Sequence, residues 1–353
     1  MSAISITRTD RSRIHEVDFT SLEFGKHLSD HMLISVYENE RWGAPTIVPF
    51  GDLAFSPAML AIHYGQAIFE GMKAFRRPDG DITIFRPERH HQRFLKSLDR
   101  MCMPAIPKEI FIDGLAELVK VDQQWCPGTH ESSLYLRPLA FASEARLGVK
   151  IADRYHFIIM TSPVGKYQAK PYRLRVETEY TRTVEGGTGF AKCAGNYGGA
   201  YYPTRLAVRQ GYDQVLWTDG REHLYIDEVG MMNVMFVIDG VLVTPALNSA
   251  ILDGITRDSI LTIARDMGME VEERKIAVAE LEDAFRTGRI TEAFGTGTAA
   301  VASSIATINI GGIDHSVPEP TEDSFQTKAK QELHAIRMGL VPDRHNWNQI
   351  IKA

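Results

Sequence analysis

The sequence predicts a mixed α/β protein of two domains, and three observations carry that prediction. Short runs rich in Val, Ile, Tyr and Phe are interleaved along the whole chain with stretches of helical periodicity, so strands and helices share one fold. Three Asp-Gly pairs fall between such runs as hairpin turns, because glycine accepts the positive φ these turns require. At 353 residues the chain is long for one hydrophobic core.

In chain order, Pro78-Asp79-Gly80 divides GMKAFRR from DITIFRP. Asp219-Gly220 divides QVLW from EHLYI, and Asp239-Gly240 divides VMFVI from VLVTP, so antiparallel pairing is expected in both halves. A helix follows Pro87, with Phe94, Leu95, Leu98, Met101 and Cys102 as its apolar stripe. A second runs from about Ile255 to Met267 and stops at Gly268, and a third covers roughly Phe325 to Met338. The strand HFIIMTS and the alternating YRLRVETEY flank PVGKYQAKPY, residues 163 to 172, whose prolines and glycine suit a connector. A smaller N-terminal domain over 1–164, a linker over 165–172 and a larger C-terminal domain over 173–353 follow, with the active site expected between the domains. The tail VPDRHNWNQIIKA carries no functional signal.

Composition narrows the class. The net charge of −6 argues against nucleic acid as a partner. No run approaches the roughly 20 apolar residues of a membrane span, and the first residues lack a secretory core. Cys102, Cys126 and Cys193 are unevenly spaced and form neither a disulfide framework nor a zinc site, which fits a reducing cytoplasm. His27 and His31 lack the glutamate of a zinc motif, so no metal is expected.

The chemistry is concentrated in a few segments. In EGGTGFAKCAGNYGGAYYPT, residues 185–204, six glycines surround Lys192. Such density means tight turns or close backbone approach, and a lysine out of water can become a neutral amine that attacks an aldehyde. A flexible loop with an incidental lysine is the alternative. In HLYIDEVGMMNVMFVIDG, Asp227 and Glu228 interrupt an apolar run. A buried carboxylate needs a cationic partner, and a pyridinium nitrogen would be one; an acidic turn between strands is the alternative. Arg86 precedes the helix that starts at Pro87, and Arg89, Arg93, Lys96 and Arg100 follow along it as a basic stripe, from which one inward arginine would serve a phosphate. Gly254, Ile255 and Thr256 stand at a helix N-terminus, which favours an anion. FGTGTAA, residues 294–300, matches the form of a dinucleotide loop but lacks its strand–turn–helix context.

Taken together and in order, HYGQAIFEGMKAF, YLRP, GGTGFAKCAGNY, YIDEVGMMN and FGTGTA make the chain resemble the branched-chain aminotransferases of the fold-type IV pyridoxal-phosphate enzymes. The match runs from FGKHLSDHM near residue 24 to about residue 305. The resemblance implies the cofactor pyridoxal 5′-phosphate, with Lys192 as the catalytic Schiff-base lysine and proton shuttle. It implies Tyr197 on the cofactor's phenolic oxygen and Glu228 on its pyridine nitrogen. Arg93, Ile255, Thr256 and Thr298 are similar to the phosphate ligands. Tyr64, Phe69, Tyr135, Arg137, Val149, Tyr167 and Ala299 are similar to residues that shape the substrate pocket. The implied reaction is ping-pong transfer of an amino group between L-leucine, L-isoleucine or L-valine and 2-oxoglutarate, which becomes glutamate. The implied assembly is at least a homodimer. Three positions depart from the family: AVAS at 300–303 replaces the redox C-x-x-C of the mammalian enzymes, Leu28 stands for an aromatic residue, and Met231 for a threonine. A D-amino-acid aminotransferase or an aminodeoxychorismate lyase would use the same Lys and Glu. A non-catalytic binding protein or an NAD(P)-dependent oxidoreductase fits the segments less well.

Overall fold

A computed structural model of the chain describes residues 4–129, 132–165, 170–299 and 301–352. The chain divides into two compact units, one of Met1–Lys166, Ala191–Ala194 and Ala335–Ala353, the other of Tyr167–Phe190 and Gly195–His334. A single cut at 165–172 therefore does not describe the chain. The four residues around Lys192 and the last nineteen, expected in the C-terminal domain, belong with the first unit. Tyr167 lies outside the described residues.

The first unit is built on one sheet, ordered Ser5–Ile6, Thr46–Pro49, His31–Glu38, Tyr155–Val164, Ser133–Ala142, Met72–Arg76, Ile82–Phe85 and Asn348–Ile351. Ala67–Phe69 also pairs with Ser133–Ala142. The central strands Ser133–Ala142 and Tyr155–Val164 pair antiparallel along their full length, with Leu134, Leu136, Phe157 and Ile159 buried. The helix Pro87–Arg100 starts where Pro87 presets its φ, and its apolar side joins that core through Phe94 and Leu98. Its N-cap, Arg86, has a φ of 51°, a left-handed conformation that a side chain tolerates poorly. The tail holds it there: the Arg86 N–H donates to the Trp347 carbonyl at 2.6 Å, and its guanidinium lies 4.8 Å from the Trp347 ring.

The second unit contains a closed circuit of six strands. Tyr172–Val176 pairs with Gln214–Thr218, which pairs with Ile226–Val229. That strand pairs with Met232–Ile238, which pairs with Ile290–Thr296; Ser303–Ile310 then closes the ring back to Tyr172–Val176. Leu216, Val229, Val234, Phe236 and Ile308 fill its core. Because FGTGTAA runs from one strand into the strand Ser303–Ile310, the dinucleotide-loop match has no helix to serve.

The hairpin turns differ in mechanism. Asp239 and Gly240 both take positive φ, 52° and 81°, as a two-residue turn demands. Gly220 does not. There the chain runs through Tyr225 before the next strand, Ile226–Val229, and the Asp219 carboxylate accepts the N–H groups of Arg221, Glu222, Leu224 and Tyr225. Gly220 is needed for closeness instead: a Cβ would stand 2.9 Å from the Thr183 carbonyl oxygen.

Candidate active site

The lysine segment is an added strand fragment on the first unit's sheet. Phe69 N–H donates to the Lys192 carbonyl at 3.1 Å, Ala194 N–H donates to the Ala67 carbonyl at 3.0 Å, and Ile68 bridges Cys193. Cys193 anchors the fragment by packing into the first core. The Lys192 N–H donates to Ser97 Oγ at 2.9 Å, and that hydroxyl donates to the Arg93 carbonyl at 3.0 Å. With its backbone pinned on both sides, the side chain of Lys192 places Nζ 4.9 Å from the Phe69 ring centroid.

Arg137 approaches the same ring, its guanidinium carbon 4.7 Å from the centroid. It donates from Nη2 to Tyr135 Oη at 2.9 Å, while its Nε is buried without a hydrogen-bond partner. Gly71 leaves room for that tyrosine, since a Cβ there would lie 2.1 Å from Tyr135 Oη. Phe69, Tyr135, Arg137 and Lys192 thus form one group: an aromatic floor, a hydroxyl, a guanidinium whose Nε lacks an acceptor, and an amine.

Arg93 is the one member of the basic stripe turned fully into the unit; Lys96 is exposed, and Arg89 and Arg100 are half-buried. Its guanidinium donates from Nε and Nη2 to the two oxygens of Glu70 at 2.7 and 2.8 Å. His90, one turn earlier, shares that carboxylate through Nδ1 at 2.7 Å. Burial alone would raise the Glu70 carboxyl, but the charges and hydrogen bonds of Arg93 and His90 outweigh it and hold the group well below the usual carboxylate range. Burial lowers His90, reinforced by Arg93 and Lys192 and opposed by Glu70. Sequence reasoning missed Glu70 and His90. The available signal was an acid inside the apolar run AIFEGMKAF, the same signal that singled out Asp227 and Glu228.

In the second unit, Glu228 is 4% exposed on Ile226–Val229. Its Oε1 accepts from Asn233 Nδ2 at 3.0 Å and from Leu252 N–H at 3.2 Å, and its Oε2 lies 2.5 Å from Arg182 Nη2. Arg182 and Asn233 were not foreseen either. Arg182 also donates to the Ala250 carbonyl, and Gly189 lets this chain crossing close, because a Cβ there would stand 2.2 Å from the Ala250 oxygen. The helix Ile255–Asp266 begins after Gly254, which has no side chain to cap it, and Ile255 and Thr256 occupy its first turn. Gly254 has no alternative, as its Cβ would meet Asn233 Oδ1 at 1.9 Å. Tyr197 is half-buried on the short helix Gly195–Gly198, and Thr298 and Ala299 follow the strand Ile290–Thr296.

Tyr64 and Val149 are not part of the Lys192 group. Tyr64 bonds through its hydroxyl to the Leu147 carbonyl, and Val149 is 81% exposed. Their sequence neighbours Ile62, Leu147 and Ile151 are all more than half exposed. Leu28 contributes its carbonyl to Arg13, and Met231 is 53% exposed. Among the described residues no group of His, Cys, Asp and Glu is arranged to hold a metal, and no helix is long and apolar enough to cross a membrane.

Comparison with known proteins places the chain in a family. Residues 67–308 match the model of the family described as amino-transferase class IV. The branched-chain-amino-acid transaminase 1 of Bacillus subtilis (strain 168) is 42% identical over 335 residues, 94% of each chain. Among solved structures, the branched-chain aminotransferase of Thermoproteus uzoniensis with norvaline superposes with a TM-score of 0.75 at 24% identity, over 91% of this chain and 100% of that one. The branched-chain amino acid aminotransferase of Thermobaculum terrenum in its PLP-bound holo-form gives a TM-score of 0.74 at 24% identity, over 90% and 98%. A match of this extent, with a family model over residues 67–308 and a relative 42% identical over 94% of each chain, makes this chain a member of the class IV amino-transferases.

Proposed function

We propose that this enzyme is a branched-chain-amino-acid transaminase, moving the amino group between L-leucine, L-isoleucine or L-valine and 2-oxoglutarate. One observation carries the substrate reading: the Phe69 ring, flanked by Lys192 and by an Arg137 whose Nε is buried without an acceptor. An aliphatic side chain needs an aromatic wall, and a carboxylate needs a guanidinium whose donors are still unmet. The 42% identity to the Bacillus subtilis transaminase supports the same substrate class.

Pyridoxal phosphate is the cofactor of this family, and the residues present fit it: an amine beside an aromatic ring, a buried arginine, a helix start without a side-chain cap, and a carboxylate fixed by its neighbours. When bound, the cofactor supplies a carbonyl carbon for the substrate amine and a ring that accepts electrons. Lys192 would hold it covalently and, once displaced, take the substrate's α-proton on Nζ and return it to the neighbouring carbon. Glu228 would keep a proton on the ring nitrogen, its negative charge set in place by Arg182, Asn233 and Leu252. Arg93, the N–H groups of Ile255 and Thr256, and Thr298 would hold the phosphate, Tyr197 the phenolic oxygen, and Ala299 the substrate carboxylate.

We further propose a cytoplasmic homodimer. Ile62, Tyr64, Leu147, Val149 and Ile151 expose an apolar surface that a monomer has no reason to keep, and burying it against a second copy would bring Tyr64 and Val149 to a partner's pocket. Sedimentation should show the dimer; a monomer at working concentration would remove this part of the proposal.

The decisive test is the absorbance of the holoenzyme. L-leucine, and not D-alanine, should bleach the band of the bound cofactor. Bleaching by D-alanine alone would make the enzyme a D-amino-acid aminotransferase. Lys192→Ala should abolish turnover while leaving the fold intact.

A further inference from the structure

The pair between Glu70 and Arg93 has no part in the roles assigned above, yet it is a deeply buried ionic contact on the helix that Ser97 links to Lys192. Glu70 is 0% exposed and Arg93 5%. A guanidinium in that position requires an anion, and one contacted through both Nε and Nη2 is fixed in plane and direction, not merely neutralised. His90 ties the carboxylate to the same helix one turn earlier, and the Glu70 N–H donates to the Pro138 carbonyl at 2.8 Å, so the anchor itself is held by the sheet.

We infer that Glu70 is the positioning residue for phosphate binding: it fixes the plane and direction in which the Arg93 guanidinium meets the cofactor phosphate. This rests on the reading of Arg93 as a phosphate ligand. The physical argument has two parts. A free arginine side chain would lose the freedom of its four torsions when a phosphate arrives, and Glu70 removes that cost beforehand. Glu70 also fixes the plane of the guanidinium through two contacts, and with it the direction in which a second anion can be met. The Ser97 hydroxyl links the Arg93 carbonyl to the Lys192 N–H, so the phosphate-binding arginine and the lysine share one frame. A shift of Arg93 would therefore change where the phosphate sits relative to the amine.

The test compares two ligands that differ only in the phosphate. Full-length apoenzyme is titrated with pyridoxal phosphate and with pyridoxal, and the ratio of the two dissociation constants is measured for wild type, Glu70→Gln and Arg93→Gln. Glu70→Gln should weaken pyridoxal phosphate tenfold or more while changing pyridoxal less than twofold. The double variant should be no worse than Arg93→Gln alone, because one residue acts through the other. A purely structural role for Glu70 would weaken both ligands alike and overturn the inference. An unchanged ratio in Glu70→Gln, with the ratio lost in Arg93→Gln, would overturn it while sparing Arg93. An unchanged ratio in Arg93→Gln would overturn both. If Glu70→Gln does not fold, Glu70→Asp keeps the charge but withdraws it by one methylene. The same fall in the ratio is then expected, and its absence is equally fatal.

Discussion

Glu70 and Asp227 are both acids set into apolar segments, 0% and 8% exposed, and their carboxyl groups are displaced in opposite directions. Burial raises both. Around Glu70, Arg93 and His90 more than reverse it. Around Asp227 the neighbours are Glu228, Asp219 and Glu185, which add to burial, and Arg182 is too little to offset them, so the group is pushed up to about 7. No ion pair or side-chain hydrogen bond to Asp227 forms among the described residues, because Arg182 is taken by Glu228. What the two acids teach is that burial sets the size of a carboxylate's problem, while its partners decide the sign.

The contrast can be broken by substitution. The largest effect is expected from Glu70→Ala, which leaves Arg93 buried without its anion. It should cost about 3–5 kcal/mol, a fall in Tm on the order of 10 °C by calorimetry. A loss below about 1 kcal/mol would show that Arg93 finds another partner. Next, Asp227→Asn should stabilise the protein by on the order of 2 kcal/mol at about pH 8 and by almost nothing near pH 4. Denaturant titration at both values checks it, and equal effects would refute the raised carboxyl. The smallest is Glu185→Gln, which removes one of the like charges around Asp227. It should add less than about 1 kcal/mol at about pH 8, with the gain abolished in an Asp227→Asn background.

Stability against pH sharpens the same comparison. Glu70 is depressed in the folded state, so its contribution is complete above the unfolded carboxylate range near 4.5 and is lost as the pH falls below it. Asp227 is raised, so from about pH 4 upward the unfolded chain gives up a proton that the native protein keeps. Its contribution therefore declines until about pH 7 and is flat beyond. Removing each residue should erase one limb of the profile and leave the other.

The two acids were not equally legible in the sequence. Asp227 and Glu228 stood out because two carboxylates together interrupt an apolar run, whereas Glu70 alone in AIFEGMKAF did not, and its partners lie 20 and 23 residues away. Helices were legible from local periodicity: the third was expected over Phe325–Met338 and spans those residues. The turn at Asp219 was visible, but its mechanism was not, since side-chain capping of four N–H groups leaves no spacing pattern. Spacing also could not show that Tyr64 bonds the Leu147 carbonyl and that Val149 stands exposed, because those surroundings are set by contacts distant in sequence. The strand Asn348–Ile351 gave no signal because it is defined by a partner more than 260 residues earlier.

That last strand bears on how the protein is made. Asn348–Ile351 completes the sheet along Ile82–Phe85, and Trp347 restrains the strained Arg86 that opens the helix carrying Arg93. During synthesis the second unit's residues leave the ribosome in full before the first unit's outer strand exists. For that interval Ile82–Phe85 is an uncovered edge, open to pairing with another nascent chain. The order of translation thus makes the second unit the first that can finish, and leaves the helix carrying Arg93 waiting on Trp347 and Asn348–Ile351 to be secured.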